Sequence, residues 1–367
     1  MGVQGIIVII NQYGEGCTTE HDFSEFDGEK MGLDAYQQLY KFKFSSNGGQ
    51  KSHIVGAFLK TYTMLKHGML PIWVFDGPPP KLKRSTLNKR KYKKNNARHK
   101  LEQSDLEFNE KINLEKKAFS ITSEMIVEVK TLLDNMGIPY IQAGSEAEAY
   151  CALINRHKYV DAVVTDDWDA ILFGASMMIK NFTKQTRVKK INIKKLLEIL
   201  GLSLDQFIDL CLLMGTDYCQ GIKGIKPNNM YEIFKKANCN VYDVLELLIK
   251  NNIKCDIPHN YIDQYKLAKN YYKEQYNQSE ISLIPFSWKT PNIPLLKLQL
   301  LSVMTISQLT MPLEKLLYMY DQYKMLGKVV ALKIQPSTKT QLPTYSIIND
   351  CICNNGLTPN YRLLTVY

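Results

Sequence analysis

Four carboxylates stand in two pairs in the middle of the sequence. Glu146 and Glu148 come at the start of a predicted helix, and Asp167 and Asp169 follow a predicted strand over 161–165. Ionised carboxylates repel one another, so gathering them costs free energy unless cations lie between them. Hard divalent ions such as Mg²⁺ and Mn²⁺ prefer oxygen ligands of this kind. The two pairs therefore indicate a candidate metal site.

Each pair also has a purely structural explanation. Ser145 and Glu148 fit a capping box, with Ser145 as the N-cap, and Glu146 would then only favour the helix dipole. Asp167 and Asp169 fit a solvated turn after a strand. For either pair taken alone, these alternatives stay open.

Further acids stand at the ends of other predicted elements. The segment EKMGLDA is a predicted strand ending at Asp34, and MLPIWVFDG is a predicted strand with Asp76 at its end. In open α/β sheets, ligands bind beyond the carboxyl ends of the strands, so Asp34, Asp76 and Asp167 are expected to converge. Asp217 begins a Gly-rich segment between two predicted helices, where it is either a turn residue or a further ligand.

The segment directly after Asp76, PPPKLKRSTLNKRKYKKNNARHK, is strongly basic. Lys83 and Arg90 are seven residues apart, two helical turns, so they lie near one face of a predicted helix. A solvated basic helix or a localisation signal explains such a run taken alone. Its position beside Asp76 favours an element that faces phosphate.

Periodicity outlines the other elements. Residues 4–10, QGIIVII, form a strand by propensity, and a polar loop is expected over 11–30. Two short amphipathic helices are predicted before Gly215. Residues 288–333 are predicted to be helical, and the tail over 335–367 carries no functional signal.

Composition bounds the class of protein. The chain has 367 residues, of which 45% are hydrophobic, and a net charge of +10. A basic protein with clustered acids suits a polyanionic substrate, and nucleic acid is the first candidate. The eight cysteines form no Cys-x-x-Cys pair, which indicates reduced thiols inside the cell. The first ten residues lack the basic start and cleavage site of a signal peptide, and no apolar run reaches membrane-spanning length, so neither a secretory signal nor a membrane span is expected.

Six segments occur in a characteristic order: MG-x-QG, LDAYQQLY, VFDGPPPKLK, GSEAEAYCA, VTDDWDAILFG and LCLLMGTDYCQGIKGI. Together they resemble the flap endonuclease family, the structure-specific 5′ nucleases that include XPG and the eukaryotic 5′ exonucleases. One such motif is weak support, whereas six in the right order are strong support. The resemblance covers residues 1–245 and extends more weakly to 310.

The resemblance implies an α/β fold. This is a PIN-like, twisted, mostly parallel sheet flanked by helices, with a helical arch and a helix–two-turn–helix element that binds DNA. It implies a nuclease region over 1–110 that includes the start of the arch. A second nuclease region follows over 111–275, with the hairpin element at 204–238, and a C-terminal extension of unassigned role covers 276–367.

The resemblance also implies roles for individual residues. Two divalent cations, Mg²⁺ or alternatively Mn²⁺, are expected on seven acids: Asp34, Asp76, Glu146, Glu148, Asp167, Asp169 and Asp217. Catalytic roles are expected for Lys83 and Arg90. DNA contacts are expected from Gly2, Tyr40, Lys60, Gly221, Lys223, Gly224 and Lys226. In this set Tyr40 would stack on a nucleobase, and the hairpin at 221–225 would grip duplex backbone with a bound K⁺.

Some positions depart from the family pattern. Lys226 replaces a glycine, and Asn228 and Asn229 stand where basic residues are common. The grip on duplex DNA is then weaker, or is supplied by Lys223, Lys226, Lys235 and Lys236. Asp166 stands where the family often has Glu and is not counted as a ligand. The tail lacks a Gln-x-x-Leu-x-x-aromatic-aromatic motif, so binding to a sliding clamp is not expected.

The expected function is that of a Mg²⁺-dependent nuclease that cleaves 5′ DNA flaps and has 5′ exonuclease activity, in replication, repair or recombination. The alternatives are a relative specialised for bubbles or gaps, a catalytically inactive DNA-structure-binding protein, and a ribonuclease of the broader PIN-like group. The expected partner is DNA with a 5′ flap or another single-strand/duplex junction. Binding to a membrane is not expected. The chain is expected to be a monomer. Its expected location is inside the cell, in the nucleus or at another site of DNA replication. For a virus that replicates in the cytoplasm, that site is the cytoplasm.

Overall fold

The chain folds into a mixed, mostly parallel seven-stranded sheet flanked by helices, and a separate three-stranded sheet. This confirms the α/β class. The computed structural model describes residues 2–44, 51–102, 107–182, 187–278, 286–325, 329–334, 345–348 and 363–366, the last ones from 320 onward by their backbone alone.

The strands, in chain order, are β1 (Thr18–Asp22), β2 (Lys30–Asp34), β3 (Leu70–Phe75), β4 (Tyr140–Gln142), β5 (Ala162–Val164), β6 (Met177–Lys180), β7 (Arg187–Asn192), β8 (Val329–Ile334), β9 (Tyr345–Ile348) and β10 (Leu363–Val366). The helices are α1 (Ile6–Tyr13), α2 (Ala35–Lys43), α3 (Ser52–Lys66), α4 (Arg84–Leu101), α5 (Phe108–Ala118), α6 (Ser123–Met136), α7 (Ala147–Arg156), α8 (Asp169–Leu172), α9 (Ile193–Leu200), α10 (Leu204–Met214), α11 (Pro227–Lys236), α12 (Val241–Lys250), α13 (Tyr261–Asn277), α14 (Ile293–Leu301) and α15 (Ile306–Met325). Short 3₁₀ turns cover Phe23–Phe26 and Lys81–Lys83.

The chain divides into two compact units, each built from separate stretches. The first unit consists of Met1–His21, Asp76–Ser120 and Ala143–Ser279. Within it, β5 pairs with β6 in parallel and β6 pairs with β7 antiparallel. Helices α10 and α11 pack together in this unit, with α1 against α11 and α13 against α10.

The second unit consists of Asp22–Phe75, Ile121–Gln142 and Glu280–Tyr367. Within it, β2, β3 and β4 pair in parallel, with Asp34 opposite Val74 in register. All six residues of β3 are buried, which explains its uninterrupted apolar sequence. The three ranges expected from the sequence, 1–110, 111–275 and 276–367, stay a prediction about functional regions.

The predicted strand over residues 4–10 is wrong, because Ile6–Ile10 belong to helix α1 and the two residues before them form a turn. Gly5 precedes the helix in the left-handed region, with φ of 71°. Ile6, Ile9 and Ile10 are buried, and their spacing matches one face of a helix. Packing of this face therefore overrides the β propensity of the isoleucines.

Two further expectations need correction. The expected polar loop over 11–30 contains the end of α1, strand β1 and a 3₁₀ turn. The expected helical segment 288–333 holds α14 and α15, but Val329–Ile334 is a strand that pairs with β9 and β10. The strands that end at Asp34 and just before Asp76 are confirmed.

The six cysteines within the described residues are all free, and Cys17, Cys151, Cys211 and Cys219 are buried. Burial raises the pKa of Cys219 to about 12. In the described ranges, no helix combines the length and apolarity that crossing a membrane requires.

Candidate active site

Asp76, the residue that follows β3 in the chain, caps the start of helix α7. Its Oδ1 accepts a hydrogen bond of 2.7 Å from the backbone N–H of Ala147, the first residue of the helix. The N-cap residue is Glu146, whose side chain makes no capping bond. The capping-box explanation is therefore wrong, because the cap comes from an acid 71 residues earlier in the chain.

Asp167 and Asp169 are held in a tight connection between β5 and α8. The N–H of Asp167 donates to the hydroxyl of Thr165 at 3.1 Å, and the N–H of Asp169 donates to Oδ1 of Asp167 at 3.2 Å. Their exposed fractions are only 8% and 2%. The solvated-turn explanation is therefore wrong for this pair.

Asp217 lies in a short turn, 215–219, that follows helix α10. The hydroxyl of Thr216 accepts hydrogen bonds from the backbone N–H groups of Tyr218 and Cys219, at 3.2 and 3.3 Å. The N–H of Thr216 in turn donates to the carbonyl of Cys219 at 2.9 Å. These bonds fix the backbone on both sides of Asp217.

Two basic side chains reach the acids from the start of α4. The ammonium of Lys83, which is buried, pairs with Oε1 of Glu146 and lies 3.3 Å from Oδ2 of Asp217. Nη2 of Arg90 donates to both carboxylate oxygens of Asp217 at 2.7 Å. The ammonium of Lys83 also lies over the ring of Tyr218, with Nζ 5.6 Å from the ring centroid.

Burial and neighbouring charges shift the pKa values of these acids. Burial raises the pKa of Asp169 well above its usual value, and the charges of Asp167 and Asp217 add to this effect. Burial also raises the pKa of Glu146, while Lys83 acts in the opposite direction. Ionised carboxylates are thus disfavoured here unless positive charge is close by.

The same interactions link the remaining acids to the group. Burial raises the pKa of Asp76, and Lys83 partly opposes this. Burial alone would lower the pKa of Lys83, but Glu146, Glu148 and other acids together raise it. The structure therefore brings together one set of side chains, called the acid cluster below: Asp76, Glu146, Glu148, Asp167, Asp169 and Asp217. All of them, with Lys83 and Arg90, lie in the first unit.

The acid cluster offers a suitable ligand set for hard divalent cations, because every donor is an oxygen. Two of these atoms, Oε2 of Glu146 and Oδ1 of Asp169, are buried without a hydrogen-bond partner. A buried, unpartnered carboxylate oxygen is costly and calls for a cation. Within the described parts of the chain, however, no three acidic, His or Cys side chains already surround a point suited to a metal ion. Lys83 and Arg90 now supply the positive charge.

Gly2 lies directly against the acid cluster. Its φ is +82°, and a Cβ at this position would clash with Oδ1 of Asp167 and lie 3.0 Å from Oδ1 of Asp169. Only glycine fits this close approach without moving the carboxylates. Its expected role near the site is consistent with this contact.

Three predicted site residues lie in the second unit. Asp34 is 3% exposed, and its Oδ1 accepts a hydrogen bond from the N–H of Gln37 at 3.2 Å, which caps α2. Tyr40 lies on α2 with its ring centroid 5.2 Å from that of Phe44. Lys60 is buried in α3. Their roles as a metal ligand and as DNA contacts stay predictions.

The hairpin between α10 and α11 contains the other predicted DNA contacts. A Cβ at Gly221 would clash with the carbonyl of Met214, and Gly224 has a φ of +91°. Lys223 forms a β-bridge with Asp256, and Lys226 is the exposed N-cap residue of α11. The two glycines thus have a structural explanation, while the contacts with DNA and K⁺ stay predictions.

Sequence reasoning missed Thr86 and Tyr218. The hydroxyl of Thr86 donates to the backbone carbonyl of Asp217 at 2.7 Å. Thr86 lies three residues after Lys83 and four before Arg90, so helical spacing alone places it on their face. Tyr218 directly follows a predicted ligand, but no pattern in the sequence predicts that it packs beneath Lys83.

Comparison with known proteins adds independent information. A model of the XPG N-terminal domain matches residues 1–97, and a model of the XPG I-region matches residues 137–217. Flap endonuclease 1 of Nematostella vectensis is 34% identical over 311 residues, with 80% of each chain covered.

Two solved structures resemble most of the chain. The catalytic core of Rad2 in complex with DNA substrate matches with a TM-score of 0.65 and 26% identity, covering 86% of this chain and 100% of that one. Flap endonuclease-1 from Methanococcus jannaschii matches with a TM-score of 0.62 and 28% identity, covering 83% and 97% of the two chains.

Proposed function

This chain belongs to the flap endonuclease family of XPG-type nucleases, and on that premise we propose that it cleaves DNA at the base of 5′ flaps with the help of two divalent cations. Membership makes it a structure-specific 5′ nuclease, a phosphodiester hydrolase. The preference for flaps, the 5′ exonuclease activity and the use of Mg²⁺ are the proposed part.

One observation carries the proposal. The buried oxygens Glu146 Oε2 and Asp169 Oδ1 have no hydrogen-bond partner, and they belong to a cluster of acids faced by two basic side chains. Each such atom costs about 1–3 kcal/mol, and bound cations would remove this cost. The proposed ligands are the acid cluster and Asp34. When bound, Mg²⁺ would lower the pKa of a water and neutralise charge on the phosphodiester.

The basic side chains have a separate role in the proposal. Lys83 and Arg90 now pair with Glu146 and Asp217. With cations held by those carboxylates, the ammonium of Lys83 and the guanidinium of Arg90 would be able to turn to the non-bridging oxygens of the scissile phosphate. There they would stabilise the negative charge that develops in the transition state. No protein nucleophile is required, since water would attack the phosphorus atom while the bond from phosphorus to the leaving ester oxygen breaks.

The basic, exposed surface of α4 supports an interaction with the DNA strand. Lys89, Lys91 and Lys93 are exposed on this helix and make it suited to the phosphates of a single strand. Duplex DNA would be gripped by the hairpin between α10 and α11. We further propose that the chain acts as a monomer at intracellular sites of DNA replication.

A single assay tests the function. The purified chain is incubated with a 5′-flap DNA, a bubble DNA and an RNA hairpin, each with Mg²⁺ and with EDTA. The proposal predicts cleavage near the flap junction that EDTA abolishes. Binding of the flap without cleavage in Mg²⁺ would instead identify an inactive DNA-structure-binding protein. A preference for the RNA hairpin would identify a ribonuclease.

A further inference from the structure

Three residues at or near the start of α4 contact the same residue of the 215–219 turn. Lys83 and Arg90 both contact the carboxylate of Asp217. Thr86 differs from them, because its hydroxyl donates to the backbone carbonyl of Asp217 at 2.7 Å. A threonine on a helix often bonds to a carbonyl one turn earlier. This hydroxyl instead reaches a residue 131 positions away.

The difference between carboxylate and carbonyl matters for the proposed reaction. Cations bound to Asp217 would compete with Lys83 and Arg90 for its carboxylate oxygens. The carbonyl of Asp217 takes no part in that competition, so the bond from Thr86 can persist. Its acceptor is also well fixed, because Thr216 holds the turn through the N–H groups of Tyr218 and Cys219.

We propose that Thr86 is a positioning residue for the cleavage reaction. Its bond holds the first turns of α4 against the 215–219 turn while Lys83 and Arg90 leave the carboxylates for the substrate phosphate. The inference rests on the proposed function. It assigns to Thr86 no contact with the substrate, only the task of keeping two basic groups within reach.

The test uses three variants of the full chain. Thr86→Val has nearly the same shape but lacks the hydroxyl, Thr86→Ser keeps the hydroxyl, and Ser85→Ala changes an exposed neighbour on the same helix. We measure kcat and KM on 5′-flap DNA with Mg²⁺, and the melting temperature of each variant. Thr86→Val is expected to lower kcat by about 10- to 100-fold, the loss typical of a reacting group misplaced by about 1 Å. KM and the melting temperature should stay near those of the wild type, Thr86→Ser should restore kcat, and Ser85→Ala should be unchanged.

A double-mutant cycle separates positioning from general stability. If Thr86 acts through Arg90, Thr86→Val should cost much less kcat in an Arg90→Gln background than in the wild type. The inference is overturned if Thr86→Val has wild-type kcat, if its loss is additive with that of Arg90→Gln, or if the loss follows the melting temperature. In those cases flap cleavage by the wild type leaves the proposed function intact. If the wild type cleaves no flap, the proposed function fails and this inference fails with it.

Discussion

Asp76 and Ala147 are joined by a hydrogen bond of 2.7 Å between the carboxylate at the end of β3 and the first N–H of helix α7. The bond sets the position of the helix that carries Glu146 and Glu148. One acid of the cluster therefore orients two others, and its own pKa is raised by its burial. A change at Asp76 should affect both charge and architecture, and two substitutions separate these effects.

We expect Asp76→Asn to keep the cap and Asp76→Ala to lose it. Asparagine still offers an oxygen to the N–H of Ala147, whereas alanine offers none. The alanine variant should therefore be less stable than the asparagine variant by about 1 kcal/mol, measured by urea denaturation. Both should lose Mg²⁺-dependent cleavage. Equal stability of the two variants would contradict the capping role.

Asp167→Asn should abolish cleavage while binding of flap DNA survives. Loss of a ligand charge should cost roughly 100-fold or more, since even the outer partners of a metal ligand typically cost 10–100-fold. Asp166→Asn is the matched control. The side chain of Asp166 accepts a hydrogen bond from the N–H of Asn181 at 2.9 Å, which asparagine can also accept. Cleavage rates and fluorescence anisotropy with labelled flap DNA measure the two properties, and normal turnover by Asp167→Asn would rule out its metal role.

Gly2→Ala should weaken both metal binding and cleavage, because the new Cβ would push against the carboxylates of Asp167 and Asp169. Gly28→Ala provides the control. Gly28 has a similar φ of +78°, but a Cβ there meets no atom within 4 Å. Both variants should lose about 1 kcal/mol from the strained backbone.

Only Gly2→Ala should change the binding of Mn²⁺, which electron paramagnetic resonance measures without requiring turnover. If the two glycine variants bind Mn²⁺ equally well, the close approach of Gly2 to the acid cluster has no bearing on the ligands.

Two exposed lysines near the hairpin are expected to contribute to the salt dependence of DNA binding. Lys226 and Lys236 are exposed, so replacing each with Gln should reduce the slope of log affinity against log salt by about 0.9 for each DNA phosphate that the variant no longer neutralises. An unchanged slope would place the duplex-binding surface elsewhere. Lys194, whose side chain is 87% exposed on α9, is the control.

Lys235 should behave differently from these lysines. Its Nζ donates to the carbonyls of Leu200 and Gly201, each at 3.2 Å, at the end of α9. Lys235→Gln should therefore lower the melting temperature more than it changes the salt slope. The reverse result would show that the lysine serves DNA rather than the helix end.

The sequence predicted the strands that carry Asp34 and Asp76 well, because an uninterrupted apolar run followed by an acid is a local signal. The same holds for α10, which begins with a capping box at Ser203 and ends at Gly215. The rule that strands of a parallel sheet point their carboxyl ends to one edge also predicts that Asp34 joins Asp76 and Asp167, and that part stays a prediction.

The failures arose where contacts between distant segments decide the structure. The isoleucines of α1 favour a strand locally, and only the burial of Ile6, Ile9 and Ile10 makes them helical. Glu148 resembled part of a capping box because the true cap, Asp76, is far away in the sequence. The bond from Thr86 to Asp217 also joins distant segments, so no local pattern could predict it.

The reactivity of the buried Cys219 thiol can report on opening of the turn that holds Asp217. At neutral pH almost none of this thiol is in the reactive thiolate form, since burial raises its pKa to about 12. Because Cys219 is also buried, an alkylating reagent would reach its thiol only if the turn opened. The rate at which Cys219 itself is alkylated would measure how often the turn opens in the wild-type chain, without a dye or an engineered label.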